Sequence, residues 1–229
     1  MEKIFSIHIP KTAGSFFGQV LEGLYPDIQF FNYGINAPET RTYMKGALKE
    51  CPAGETLESS FFKYINHNRK GLAIMHGHVW KKYFIDEHPD AKMITWLREP
   101  AQRLYSHYEF FKRIPHPGNK RYEKFKNSNQ SFLEFATDPL NQNRQTKILD
   151  GVQLGLLSFV GVVEKINQSI EKFSSIFDFK ITLDDSYNFN RNNDRSGNSY
   201  PIERSVLEEI KKSNLEDYSF YEKTLESFT

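Results

Sequence analysis

A single cysteine, Cys51, stands in 229 residues, which excludes an internal disulfide and leaves a lone thiol with no visible partner, a spectator rather than a nucleophile. No apolar run approaches the length that crosses a bilayer. The opening Met-Glu-Lys-Ile-Phe leads straight into a strand pattern, without the zones of a signal peptide. Charge of one sign is missing too: 30 Lys and Arg stand against 29 Asp and Glu, a net charge of +1. That balance argues against nucleic acid as a partner, which asks for a basic domain, so any charge-based recognition must be local. No internal repeat and no long linker divides the chain, and its length suits one α/β domain over residues 1–229.

What is present is rich in rings. Aromatics reach 15% of the chain, from 20 Phe, 12 Tyr and 2 Trp, so the core is expected to be built on them. The most informative stretch is His8-Ile9-Pro10-Lys11-Thr12-Ala13-Gly14-Ser15. Before it, Lys3 to Ile9 alternate as a β-branched and aromatic strand; after it, Ser15 to Leu24 carry apolar side chains at helical spacing. The turn between them therefore aims backbone N–H groups outward from a helix N-terminus. An anion is favoured there by the amides and the helix dipole, and Gly14 lets it approach closely. Lys11 adds a full positive charge. The lysine leads the loop, so this is not Gly-x-x-x-x-Gly-Lys-Ser/Thr. The alternative is an ordinary strand-to-helix turn with a capping Thr or Ser.

A second apolar strand, Lys92 to Leu97, is followed by Arg98-Glu99-Pro100-Ala101-Gln102-Arg103-Leu104-Tyr105-Ser106-His107-Tyr108. Pro100 suits the first turn of a helix, on which Leu104, Tyr105, Tyr108 and Phe111 form the expected buried stripe. Arg98 then stands at the strand's C-terminal end, the edge of open α/β sheets where ligands bind. A guanidinium there can grip a phosphate bidentately, and Ser106 can add a hydroxyl two turns along. The alternative is a surface pair of Arg98 with Glu99 or Asp90.

Taken together, His-Ile-Pro-Lys-Thr-Ala-Gly-Ser and Leu-Arg-Glu-Pro-x-x-Arg-Leu-x-Ser-x-Tyr resemble the two nucleotide signatures of the sulfotransferase superfamily. The narrower resemblance is to the heparan sulfate 2-O-sulfotransferase and related carbohydrate branch (sulfotransferase family 2). It implies a P-loop-NTPase-like three-layer α/β sandwich with a mainly parallel central sheet flanked by helices. It also implies binding of 3′-phosphoadenosine 5′-phosphosulfate (PAPS), with 3′,5′-adenosine bisphosphate as product. Lys11, Thr12, Ala13, Gly14, Ser15 and Phe16 would hold the 5′ end, and Arg98 with Ser106 the 3′-phosphate. The family commonly has Thr where this chain has Ser15, a change that keeps the hydroxyl.

Ile74-Met75-His76-Gly77-His78-Val79 resembles the family's His-Gly-His segment, whose second histidine is regarded as the catalytic base. His78 is thus the expected base, with His76 beside it. Imidazole titrates near neutrality and a sugar or alcohol hydroxyl is a poor nucleophile, which agrees. The other reading is that both rings hydrogen-bond in the core. A metal is not expected, because no third ligand stands near the two histidines. Arg191 and Arg195, in the polar loop Asn188 to Ser199, are further candidate nucleotide contacts on the same resemblance.

The expected activity is PAPS-dependent transfer to a hydroxyl-bearing acceptor, favouring a carbohydrate. A nucleoside or small-molecule kinase and a non-catalytic nucleotide- or glycan-binding relative are the alternatives. Six Lys or Arg against one Glu over Lys112–Lys126, with interleaved aromatics, suit an anionic glycan or simply a solvated face. Lacking the Golgi anchor of eukaryotic relatives, the chain is expected to be cytoplasmic and bacterial or viral, unless an N-terminal anchor was removed. Oligomeric state is left open. Other expected elements are helices at Thr40–Lys49, Ser59–Asn68, Ser131–Thr137 with a Ser131/Glu134 capping box, and Gln142–Leu149. A strand at Leu72–Met75, a strand-to-helix unit from Leu157 through Phe173 and a closing helix near Leu215–Tyr221 complete the reading.

Overall fold

A computed structural model describes residues 3–24, 29–32, 41–42, 73–77, 90–181 and 199–228. Its strands are β1 (Lys3–Ile7), β2 (Gln29–Asn32), β3 (Arg41–Thr42), β4 (Ala73–Gly77), β5 (Lys92–Leu97) and β6 (Leu157–Val162). They form one sheet in the order β3-β2-β4-β1-β5-β6, parallel throughout except for the β2/β3 pair. The helices are α1 (Gly14–Leu24), α2 (Pro100–Arg113), α3 (Lys120–Ser128), α4 (Phe132–Thr137), α5 (Arg144–Leu149), α6 (Ile166–Phe177), α7 (Arg204–Ser213) and α8 (Leu215–Glu226).

The alternation of side chains along a strand sorts the two faces of the sheet. Ile4, Ile74, Ile94, Trp96 and Phe159 face one way and meet Phe16, Phe17, Val20 and Leu21 of α1 with Ile170, Phe173 and Phe177 of α6. Ile7, Leu97, Val160 and Val162 face the other way, against Leu149 of α5 and Tyr221 of α8. Helices therefore cover both faces of a mainly parallel sheet, the three-layer α/β sandwich expected from the sequence. Gly161 is required by this packing, since a Cβ there would strike the Trp96 indole, 2.6 Å from its Cε2. Its register partner across the β5/β6 ladder is Trp96 itself.

Local signals fix the element ends. Glu99 caps α2 by accepting from the Gln102 N–H at 2.7 Å, with Pro100 just inside. The Ser131/Glu134 capping box starts α4 as expected. Some details differ from expectation. Arg41–Thr42 is a strand antiparallel to β2 rather than helix, because Phe30 and Phe31 offer it a ladder. Tyr105 and Tyr108 are only half-buried, and the buried side of α2 instead takes in Arg103, Ser106 and His107. The rest of the Thr40–Lys49 helix, the Ser59–Asn68 helix, Cys51 and residues 188–198 of the polar loop lie outside the described residues.

Candidate active site

Because β1 and β5 are parallel neighbours, their C-terminal ends bring the turn after Ile7 beside Arg98. Thr95 ties the two ends together, its Oγ1 donating to the Ile7 carbonyl at 2.8 Å. The turn is tightly wound. Lys11 and Ala13 take φ of 74° and 60° on either side of Thr12, a left-handed geometry that costs non-glycine residues about 1–3 kcal/mol each. Alternation of handedness along successive residues turns amides toward one concavity, the backbone arrangement that receives anions. Phe17 makes the first intrahelical bond, its N–H donating to the Ala13 carbonyl at 2.9 Å. The N–H groups of Gly14, Ser15 and Phe16 precede that bond, at the positive end of α1.

Individual side chains play different parts. Thr12 is fully buried, and its N–H and hydroxyl both donate to the Ile9 carbonyl, at 3.4 and 2.8 Å, so it shapes the turn. The Phe16 ring lies in the core edge-on to Trp96, leaving its backbone as the group at the helix start. Ser15 is exposed. The Lys11 ammonium sits 4.3 Å from the centre of the Phe110 ring, a cation–π contact that draws it toward α2. Gly14 is packed against the His8 ring, which leaves no room for a Cβ.

Arg98 is 3% exposed, and its backbone is clamped by Gln145. The Arg98 N–H donates to Gln145 Oε1 at 3.0 Å and Gln145 Nε2 donates back to the Arg98 carbonyl at 2.9 Å. Its side chain lies against neither Glu99 nor Asp90. Nη1 donates to the Lys11 carbonyl at 3.5 Å, Nε is 3.9 Å from Glu164 Oε1, and the guanidinium carbon is 5.6 Å from the centre of the Tyr200 ring. Burial raises the Glu164 carboxyl above its ordinary range, against the opposing pull of the Glu99 N–H, Arg98 and the Tyr221 hydroxyl. Ser106 is buried on α2. Tyr200 is fastened nearby, its N–H donating to Gln102 Oε1 at 2.6 Å and its carbonyl accepting from Gln102 Nε2 at 3.0 Å, while its ring stacks on Tyr105 at 4.6 Å.

His76 on β4 is 1% exposed, with Nε2 3.1 Å from the Gly14 carbonyl and Nδ1 2.7 Å from Ser6 Oγ. A carbonyl only accepts, so Nε2 carries the proton and Nδ1 accepts from the serine hydroxyl; this tautomer follows from the network. The ring thus ties the start of α1 to the sheet. His78, Arg191 and Arg195 lie outside the described residues. The fold brings together Lys11, the start of α1 and Arg98 from positions far apart in sequence. Gln102, Gln145, Glu164 and Tyr200, which orient the Arg98 end, carry no recognisable motif in the sequence.

Among the described residues no helix is long and apolar enough to cross a membrane, and no group of three or more metal-ligating side chains occurs. No protein-family model matches the chain, and no curated protein matches it by sequence. Solved structures do resemble it. A sulfotransferase from Alicyclobacillus acidocaldarius superposes with a TM-score of 0.51 at 15% identity, over 97% of this chain and 95% of that one. The mouse sulfotransferase SULT7A1, solved in complex with PAP, gives a TM-score of 0.45 at 13% identity over 80% of this chain, which spans 60% of the mouse protein. At such identities the first likeness speaks for the fold: the chain has the P-loop-like α/β sandwich on which that bacterial sulfotransferase is also built.

Proposed function

We propose that this chain is a sulfotransferase that moves a sulfuryl group from PAPS to an acceptor hydroxyl, that of a carbohydrate by the sequence resemblance. The observation that carries this reading is the meeting of Lys11 and the α1 N-terminus with Arg98 at the adjoining ends of β1 and β5, Arg98 Nη1 lying 3.5 Å from the Lys11 carbonyl. The donor has anionic groups at both ends, and the two cationic residues suit one each. Residues and ligand fit in a second respect: the strained backbone at Lys11 and Ala13 is the kind of cradle anions occupy.

When bound, PAPS supplies the activated sulfuryl group. Lys11 and the amides of Gly14, Ser15 and Phe16 neutralise charge that grows on the departing phosphate, with Thr12 and Ala13 setting the turn. Arg98 and Ser106 hold the 3′-phosphate, joined by Arg191 and Arg195. His78, which follows Gly77 at the end of β4 in sequence, withdraws the acceptor's proton, and His76 is a positioning residue for α1. A general base is worth about 10²- to 10⁴-fold, so His78→Ala lowers turnover by that factor with nucleotide binding retained.

The test is thermal stabilisation by 3′,5′-adenosine bisphosphate beside AMP and ATP with Mg²⁺, since a ligand bound only by the native state raises its melting point. The bisphosphate is expected to stabilise far more than AMP, and labelled PAPS to pass its sulfate to a glycan. Stabilisation by ATP with Mg²⁺ and indifference to the 3′-phosphate would replace this reading with the kinase.

A further inference from the structure

Three helices beside the strand-end site gather basic side chains for which the proposed transfer has no use: Arg103 and His107 on α2, Arg121 on α3 and Arg144 on α5. Burial and the neighbouring arginines hold the His107 imidazole well below its ordinary value, so that it is an uncharged donor among three cations. Arg103 is 1% exposed and His107 3%. Arg103 Nε and Nη2, His107 Nδ1 and Arg144 Nε are buried with no hydrogen-bond partner among the described residues. None of the four side chains joins an ion pair among those residues. Their charges feel one another. Burial, with help from Arg144 and Arg98 and against the pull of Asp217, lowers Arg103 to about 10; burial, Arg144 and Arg103 lower Arg121 to about 10.

The nearby carboxylate does not satisfy them. Asp217 accepts from the Gln145 N–H at 3.1 Å, the Thr146 N–H at 2.8 Å and the Thr146 hydroxyl at 3.0 Å, so three of its acceptor positions go to the start of α5, and it forms no ion pair with these arginines. Buried charges persist when paired and hydrogen-bonded. Three guanidinium groups against one carboxylate leave an excess of positive charge that a dianion would balance, and their forked N–H donors match tetrahedral oxygens. Arg103 and His107 are also one helical turn apart on a face of α2 that continues to Phe110, over which the Lys11 ammonium lies.

We infer that Arg103, His107, Arg121 and Arg144 form a second oxyanion site, which takes a dianion: free sulfate or phosphate, or a phosphate monoester on a larger ligand. This site does not rest on the sulfotransferase reading. An ester seated there holds its carrier close to Lys11.

Calorimetric titration of the whole chain with sodium sulfate, at constant ionic strength in chloride and with or without saturating 3′,5′-adenosine bisphosphate, tests it. One sulfate per chain is expected with the bisphosphate bound, and the same site, beside any sulfate that enters the empty Lys11 turn, without it. Arg121→Gln and Arg144→Gln, at half-buried positions that tolerate exchange, are expected to weaken it at least tenfold, with Lys126→Gln as the unaffected control. Sulfate that binds no better than chloride, or binds equally well to both arginine variants, overturns the site. Loss of sulfate binding with the bisphosphate also overturns it, by assigning these arginines to the nucleotide. N-acetylglucosamine 6-phosphate beside inorganic phosphate then fixes the source: tenfold tighter binding of the ester upholds the site as an ester site, and equal or weaker binding upholds it as a free-ion site.

Discussion

Replacement of Gly14 by alanine pits two effects of opposite sign against each other. Gly14 opens α1, and inside a helix alanine is favoured over glycine by about 0.5–1 kcal/mol, so propensity alone predicts a more stable protein. Packing predicts the reverse. An alanine Cβ would overlap Cε1 and Nδ1 of His8 and lie 2.6 Å from its Nε2. The ring cannot yield freely: His8 is 9% exposed, its backbone N–H is tied to the Gly77 carbonyl at 2.7 Å, and the centre of its ring lies 5.4 Å from that of His76. Forcing extra volume into such a site costs about 1–3 kcal/mol, more than the gain in propensity. Urea unfolding should therefore show Gly14→Ala destabilised by about 1–2 kcal/mol, the difference of the two effects. His8→Ala should relieve it: in the double-mutant cycle the two changes should couple by about 1 kcal/mol or more. An unchanged or raised urea midpoint in Gly14→Ala, or strict additivity in the cycle, would refute the steric account of this glycine.

Two further outcomes follow from the Arg98 surroundings. Gln145→Leu strands both the N–H and the carbonyl of Arg98, groups held at 3.0 and 2.9 Å, at about 1–3 kcal/mol for each group left unsatisfied. Urea unfolding should register that loss, and calorimetry a weaker grip on the 3′,5′-bisphosphate; a variant equal to wild type in both would show the clamp to be idle. Glu164 is raised by burial above its ordinary 4.5, so its protonated form is the one the fold prefers. Its contribution is fully present below pH 4.5 and is lost as pH rises through the folded value. Glu164→Gln should therefore gain stability relative to wild type as melting points are followed from about pH 4 to pH 8. The side chain keeps 31% exposure, so solvent screens part of the effect, and a gap that stays constant with pH would contradict it.

How far the sequence could be read depended on how local each signal was. The β1 turn and the Arg98 strand end announce themselves because strand, turn and helix start are contiguous: Lys92–Leu97 was expected and found as β5, and α1 begins within one residue of its expected place. The Ser131/Glu134 box is equally local. Arg103 shows where that legibility ends. By spacing it flanks the apolar stripe of α2, and a solvated arginine is the ordinary expectation for such a position. It is 1% exposed, and the carboxylate that acts on it, Asp217, lies more than a hundred residues later on α8, where Asn214 and Asp217 interlock with the start of α5. Asn143 has φ of 50° and no side-chain cap bond of its own, so Asp217 caps α5 from another helix.

That long-range cap has a consequence for charge. Asp217 accepts from the backbone amides of Gln145 and Thr146 rather than pairing with a guanidinium group, and Nε and Nη2 of Arg103 are left buried without a hydrogen bond among the described residues. Neither the cap nor the unsatisfied Nε and Nη2 of Arg103 is visible in a window of neighbouring residues, since each depends on which helices pack together. A basic stretch such as Lys112–Lys126 looks like the recognition surface in sequence, yet of its six cations it is Arg121 that joins the cluster. Anion recognition in this chain therefore depends less on the density of charge along the sequence than on which charges the packing deprives of partners.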